Sequence, residues 1–393
     1  MNNIIIIGSG ITGLTIGREL QKREIDFKIF DSKENIGGKI ETTRICETNL
    51  DRGFQVLLRN YPCLKIFPEI NDIEYIDFKS GFIINKNDTF FKLLNPLKNL
   101  SGIFLYNKFP GFSFRDKVLL IKLYFTKNKI RKDLTTLNFL KDFGFSKSFI
   151  NDFFISFFQG VFLDKSLNVP IDYFLFIFKL FATGKVSIPL NGINEIPKTI
   201  SKKIDPTRIN LNSEIKKVTK NQIICSNNNK YNFDKLICTS PHVESIFDTE
   251  INRNIFKEIK YSGTSCFYFT IEITGVEEKI IYLFPESYLI SSLYFIKLTD
   301  NKYNVCISSL SRTCSKDDVK KEFISYFNNI KSLKYLKGFI IDEALPVMNN
   351  FYNYNSCSFM EYSTKIFFSG DFLASPSLNG AIESGENLAK GIF

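Results

Sequence analysis

The chain opens on four consecutive isoleucines at 4–7, apolar at every position, the pattern of a short strand buried on both faces. The turn Gly8-Ser9-Gly10-Ile11-Thr12-Gly13 follows at once, and residues 11–23 carry Ile11, Leu14 and Leu20 at helical spacing. A second strand is predicted over 26–30, ending at Asp31. This β-α-β order predicts a sheet that begins parallel. From about residue 85 to 183 the pattern turns to aromatic-rich helical segments. Apolar residues at 150, 153, 154, 157, 158 and 161 lie on one helix face. Strand character returns at 208–218 and 235–238. Two alternating segments, 288–298 and 303–310, flank Thr299-Asp300-Asn301-Lys302 and predict an antiparallel hairpin. A helix over 316–328, a strand at 366–368 and a helix from about Asn379 complete the reading.

The predicted elements leave the first unit, return, leave again and return at the end. At 393 residues the chain has room for two or three domains. The expectation is an α/β fold: a Rossmann-like domain of 1–84, 185–245 and 346–393, interleaved with an α+β substrate domain of 85–184 and 246–345. Disorder and collagen are excluded by 21 glycines and 12 prolines in a chain that is 44% hydrophobic.

Composition narrows the chemistry. His242 is the single histidine, so no site of several imidazoles can form, and a cofactor is the expected carrier of any reaction. His242 itself reads as a loop residue at a strand end. The eight cysteines contain no CxxC pair and no zinc spacing, so no metal is expected and the thiols read as reduced, buried small hydrophobes. The charge of +10 is scattered, which argues against a nucleic-acid partner. One denser stretch, Lys122, Lys127, Lys129, Arg131 and Lys132, follows apolar Val118–Ile121 and Tyr124-Phe125, a pattern suited to peripheral contact with an anionic membrane. The most apolar run, 173–178, falls far short of the roughly 20 residues of a spanning helix. The expected location is cytoplasmic, with membrane association on that face.

The first glycine-rich turn sits between a buried strand and a helix. Gly8 permits the tight turn, Gly10 lets backbone approach a pyrophosphate at the helix N-terminus, and Gly13 allows close helix–strand contact. Asp31, 18 residues beyond Gly13, suits a ribose diol. So far NAD and FAD fit equally. Two further segments favour FAD. One is Asn35-Ile36-Gly37-Gly38-Lys39. The other is Gly370-Asp371 followed by a helix start at Asn379-Gly380-Ala381, a second site for a polar, partly anionic group such as the flavin N1/C2=O edge. A tightly held NAD(P)H in its own domain is not expected, because no second G-x-G-x-x-G occurs.

These residues make the chain resemble the flavin-containing amine oxidoreductase superfamily, with its monoamine oxidases, protoporphyrinogen oxidases and phytoene desaturases. Within it, GFSKSFINDFFISFFQGVFLDKSL resembles a bacterial and cyanobacterial branch of FAD-dependent oxidoreductases. The resemblance implies a GR2-type FAD-binding domain. It assigns cofactor contacts to Gly8, Ser9, Gly10, Ile11, Thr12, Gly13, Asp31, Ser32, Lys33, Gly37, Gly38 and Lys39, with Asp31 on the adenosine ribose. Gly53, Phe54 and Gln55 would pass the flavin ring, and Ile215 would hold adenine through its backbone. Asp371, beside Gly370, would bind the ribityl–phosphate region, and Asn379, Gly380 and Ala381 would lie at the flavin. Lys39 stands where the superfamily usually has arginine. No cysteine in the C-terminal motif is placed for covalent flavin, and the amine oxidases' flavin-flanking tyrosine pair is missing, although Tyr352, Tyr354 and Tyr362 lie nearby in sequence.

The expected reaction is hydride transfer from a small lipophilic substrate (polyene, prenyl or porphyrin-like) to flavin N5, with oxygen or a quinone as acceptor. Phe154, Phe158, Gln159, Phe162, Phe178 and Phe181 are the candidate substrate residues. The alternatives left open are an amine oxidase, a redox-neutral flavin-dependent isomerase and a non-catalytic flavin-binding protein.

Overall fold

A computed structural model describes residues 3–45, 48–95, 97–99, 109–126, 134–348 and 358–393. Lys127, Lys129, Arg131, Lys132, Tyr352 and Tyr354 lie outside these residues.

The strand Ile4–Ile7 is central, pairing in parallel with Phe27–Phe30 on one side and Lys235–Cys238 on the other. The six strands run in the order Ile209–Asn210, Phe27–Phe30, Ile4–Ile7, Lys235–Cys238, Ile366–Ser369 and Phe359–Glu361, and the last pairs antiparallel. Parallel sheets bury both faces, and here Ile4, Ile6 and Ile29 face one apolar cluster while Ile5 and Phe30 face another. The helices Ile11–Lys22 and Leu378–Ile392 cover the first face side by side. Gly385 lets them approach: a Cβ there would lie 2.9 Å from the Thr12 carbonyl oxygen.

A second sheet has seven strands in the order Ile330–Pro346, Tyr261–Ile273, Lys302–Ser309, Ser292–Thr299, Ile281–Leu283, Gly81–Lys86 and Thr89–Leu94. The expected hairpin is present as Ser292–Thr299 paired with Lys302–Ser309. Alternation sorts its residues: Cys266, Tyr268, Tyr294 and Cys306 face a large aromatic cluster, while Phe267, Phe269, Phe295 and Val305 face the Lys316–Tyr326 helix side.

Two differences from the sequence pattern stand out. The region predicted helical from about residue 85 first completes the strand pair Gly81–Lys86 and Thr89–Leu94. Its turn is made by Asn87 and Asp88, both at positive φ, a conformation these residues tolerate. The edge strand Ile330–Pro346 has 17 residues and pairs along nearly the whole of Tyr261–Ile273. Its lysines and partial exposure hide the period-2 signal, as is common for an edge strand.

The aromatic cluster fills the space between this sheet and the helices Phe114–Phe125, Thr136–Phe143, Ser156–Phe162 and Ile171–Thr183. The predicted helix face at 150–161 is kept, but Ile150–Ile155 is a π-helical turn. The extra residue per turn brings Phe149, Phe153 and Phe154 into mutual ring contact, with centroids 4.9–5.4 Å apart. Among the described residues no helix is long and apolar enough to cross a membrane.

Candidate cofactor and active site

The first glycine loop leaves the sheet at Gly8, whose φ is +105°. A Cβ at Gly8 would collide with the Thr239 hydroxyl, and one at Gly13 with the Gly8 carbonyl. Gly10 is the N-cap of Ile11–Lys22; it supplies no side-chain cap, and the first turn carries no acidic residue. The positive end of a 12-residue helix is therefore left to bind an anion. Facing it is a second glycine turn. Gly10 bridges to Gly37, the Gly37 N–H donates to the Ser9 carbonyl at 2.9 Å, and a Cβ on Gly38 would stand 3.1 Å from the Gly10 Cα. A side chain at Gly38 would press on the Gly10 backbone, and one at Gly37 would collide with the Ile40 carbonyl.

Asp31 ends its strand beside this loop. Its Oδ2 accepts from the Ser9 N–H at 2.6 Å and the Ser9 hydroxyl at 2.7 Å, and its Oδ1 from the Lys33 N–H at 2.9 Å. A carboxylate has about four acceptor positions, so one remains. The Asp31 backbone bonds to Asn210 and Ser213, two residues before Ile215 at the start of Ile215–Val218. Ser32 is exposed. The Lys33 ammonium donates to the Gly38 carbonyl at 3.1 Å and stands 3.5 Å from Glu41. Burial works to raise the Glu41 pKa, but Arg52 and Lys33 outweigh it and hold it below the usual range.

The C-terminal segment closes the site. Lys39 Nζ lies 3.0 Å from Asp371 Oδ2. The Gly370 N–H donates to the Ser384 hydroxyl at 2.7 Å. Ser377 caps Leu378–Ile392 by accepting from the Gly380 N–H at 3.0 Å, and a Cβ on Gly380 would collide with Ser375. Asn379 accepts from the Cys63 N–H, and the Ala381 carbonyl accepts from the Thr12 hydroxyl at 3.0 Å. Gly53 has φ +110°, and the Gln55 amide donates to the carbonyls of Arg52 and Lys39. The Phe54 ring meets Tyr294 edge-on, with centroids 5.0 Å apart. Two distant glycine motifs, Asp31 and the last helix are thus brought together at one end of the parallel sheet.

More than half of the chain is matched by sequence comparison. Residues 11–257 fit the family described as flavin containing amine oxidoreductase. The chain belongs to that family. No curated protein sequence matches the chain. Among solved structures, an oxidoreductase from Methanosarcina mazei is 15% identical with a TM-score of 0.77, covering 99% of this chain and 100% of that one. A fatty acid isomerase from P. acnes, described as CLA-producing, is 15% identical with a TM-score of 0.75, covering 100% and 99%. A putrescine oxidase solved with putrescine bound is 11% identical with a TM-score of 0.74, covering 100% and 98%.

The protein is a flavin oxidoreductase and its cofactor is FAD. The structure fits that group: two glycine turns face each other with no Cβ between them, and each of the two helices that start there lacks an acidic residue in its first turn. Asn194 adds a buried Oδ1 acceptor without a partner among the described residues, one helical turn before Pro197, which flanks Gly37.

The six candidate substrate residues lie in one aromatic body. Phe154 and Phe158 are 0% and 1% exposed and enclosed by other rings, so they shape the interior from behind. Gln159, Phe162 and Phe178 retain slight exposure, and Phe181 packs edge-on against Phe157. Phe162 touches Tyr173, whose hydroxyl donates to the Pro376 carbonyl and ties this body to the C-terminal loop.

Sequence reasoning missed a polar group under Gly53. Asp51, buried, accepts from the Thr42 hydroxyl and the Ile193 N–H, and burial pushes its pKa up to about 6. The Tyr268 hydroxyl donates to the Asp51 carbonyl at 2.9 Å, and Cys266 and Cys306 lie beside it with sulfurs 3.3 Å apart. The one available signal was Asp51's position two residues before Gly53. His242 is exposed, with Nε2 2.8 Å from Glu343 and its ring stacked on Tyr261. Tyr362 is buried elsewhere, donating to Glu244 and to the Ile251 carbonyl.

Proposed function

We propose that the protein oxidises a lipophilic substrate of polyene, prenyl or porphyrin-like type. The supporting observation is the junction of the aromatic body with the C-terminal cofactor loop through Phe162, Tyr173 and Pro376. Such a wall offers dispersion and burial to an apolar skeleton and little to a cation. FAD held there would supply the hydride acceptor, with oxygen or a quinone as the proposed onward acceptor.

The chain's own residues hold and orient. The Ile11–Lys22 N-terminus and the Gly37-Gly38 turn would receive the pyrophosphate, Asp31 would accept from the adenosine ribose alongside Ser9, and Ile215 would border the adenine. Lys39 and Asp371 would meet the phosphate–ribityl region, and Asn379, Gly380 and Ala381 would present a helix start to the flavin. Phe54 and Tyr294 exclude water from the apolar side. Tyr362 is committed to Glu244, so it supplies no aromatic flank for an amine.

A redox-neutral isomerase is the second reading. A fatty acid isomerase shares the fold, and an aliphatic chain suits the same aromatic wall. One experiment separates the readings. The FAD-loaded protein is mixed anaerobically with polyene, prenyl, porphyrinogen, unsaturated fatty acid and amine compounds. Bleaching by one of the first three supports the proposal. Turnover only after prior reduction of the flavin supports the isomerase, and bleaching by amines alone overturns both.

A further inference from the structure

We propose that the outward face of the Phe114–Phe125 helix docks the protein on an anionic bilayer surface. Phe114, Ile121 and Phe125 are 81%, 58% and 72% exposed, unusual values for such side chains. At about 100° per residue, positions 114, 121 and 125 fall within roughly 40° of one another. They form one stripe along the helix. The opposite face holds the helix to the protein: Leu123 is fully buried, and Leu119, Leu120 and Tyr124 pack on the aromatic cluster.

Charge is divided in the same way. Asp116, the helix's one carboxylate, points inward, where it accepts from Ser113 and from the Ser146 N–H and hydroxyl at 2.9 Å. Those bonds outweigh the cost of burial and keep it ionised below the usual range. Arg115 and Lys122 are exposed, and helical geometry puts both on one flank of the apolar stripe. A cationic flank beside an exposed aromatic stripe matches the interface of a bilayer with anionic headgroups.

A second segment extends the surface. Leu97 is 53% exposed in a turn held by Asn95 and Lys98, which donate to the carbonyls of Ala182 and Gly184. Lys179, on the same Ile171–Thr183 helix, donates to the Thr126 carbonyl at 2.7 Å. Leu97 and Phe125 thus belong to segments anchored at the same helix end. A second copy of the chain is a poorer occupant, because a symmetric contact would bring Arg115 and Lys122 against their own equivalents in a chain of charge +10. The surface is independent of the substrate class proposed above.

The test is sedimentation of the FAD-loaded full chain with phosphatidylcholine vesicles containing about 30% phosphatidylserine. The wild type is expected in the vesicle pellet, released by roughly 0.5 M salt. Phe114→Ser with Phe125→Ser is expected to weaken binding at least about tenfold while the flavin spectrum and far-UV circular dichroism stay unchanged. Arg115→Gln with Lys122→Gln, which leaves the apolar stripe intact, is expected to lose the salt-sensitive part. Equal binding of wild type and both double variants would overturn the proposal. So would equal binding to pure phosphatidylcholine, or a concentration-dependent dimer abolished by Phe125→Ser, which would assign the face to a second copy.

Discussion

Lys39 and Asp371 are 332 residues apart in sequence and 3.0 Å apart in space. The pair joins the Gly37-Gly38 turn to the strand end before the last helix. Both side chains are partly exposed, so the bond itself is worth only about 0–1 kcal/mol to folding. Lys39→Met should therefore shift Tm little but weaken FAD retention about tenfold, read by flavin fluorescence on dilution. Lys39→Arg should retain FAD as well as the wild type. Full retention by Lys39→Met would remove the assigned role.

Gly13→Ala should be far more damaging. Its methyl would meet the Gly8 carbonyl, a backbone atom that cannot step aside. The expected loss is about 1–3 kcal/mol in denaturant unfolding, together with failure to reconstitute with FAD.

Asp51 gives a pH signature. Its carboxyl titrates near 3.8 when unfolded and about 6 when folded, because burial disfavours its charge. Between those values the folded state holds the extra proton, so this group's contribution to stability is full below pH 4 and lost as pH rises through 6. Relative to Asp51→Asn, the wild type should lose on the order of 2–3 kcal/mol between pH 4 and 7. Urea unfolding across that range measures it, and parallel curves would disprove the assignment.

Tyr362→Phe removes a hydroxyl that donates to buried Glu244 and accepts from the Arg253 N–H. A cost of about 1–3 kcal/mol in Tm-derived stability is expected. The flavin spectrum and turnover should not change, since Tyr362 packs with Phe247 and Phe368 in a separate core cluster. Altered flavin absorbance in this variant would revive a tyrosine-flanked amine site.

The cofactor loops were legible because each demands a particular residue type in a fixed local frame. Gly8, Gly10 and Gly13 are set by one strand and one helix, and Asp31 by the next strand. What stayed hidden depends on distant partners. Ser9 shares the Asp31 carboxylate, Asn194 comes from another segment altogether, and the polar group of Asp51, Tyr268, Cys266 and Cys306 needs two sheets to assemble. The phenylalanines at 150–162 announced a helix by spacing, but spacing cannot distinguish i→i+4 from i→i+5 bonding, and so the π-helical turn was not foreseen. Nor can it say which rings border a cavity and which, like Phe154, are enclosed.

The bonds from Thr12 to Ala381 and from Lys39 to Asp371 also set an order of events during synthesis. A ribosome delivers the first strand and its glycine turn some 360 residues before the segment that faces them. At roughly 5–20 residues per second, the early loop waits tens of seconds for its counterpart. Capture of the dinucleotide therefore reports that translation has passed the Leu378–Ile392 helix, and products terminated before it should emerge colourless and open to proteolysis.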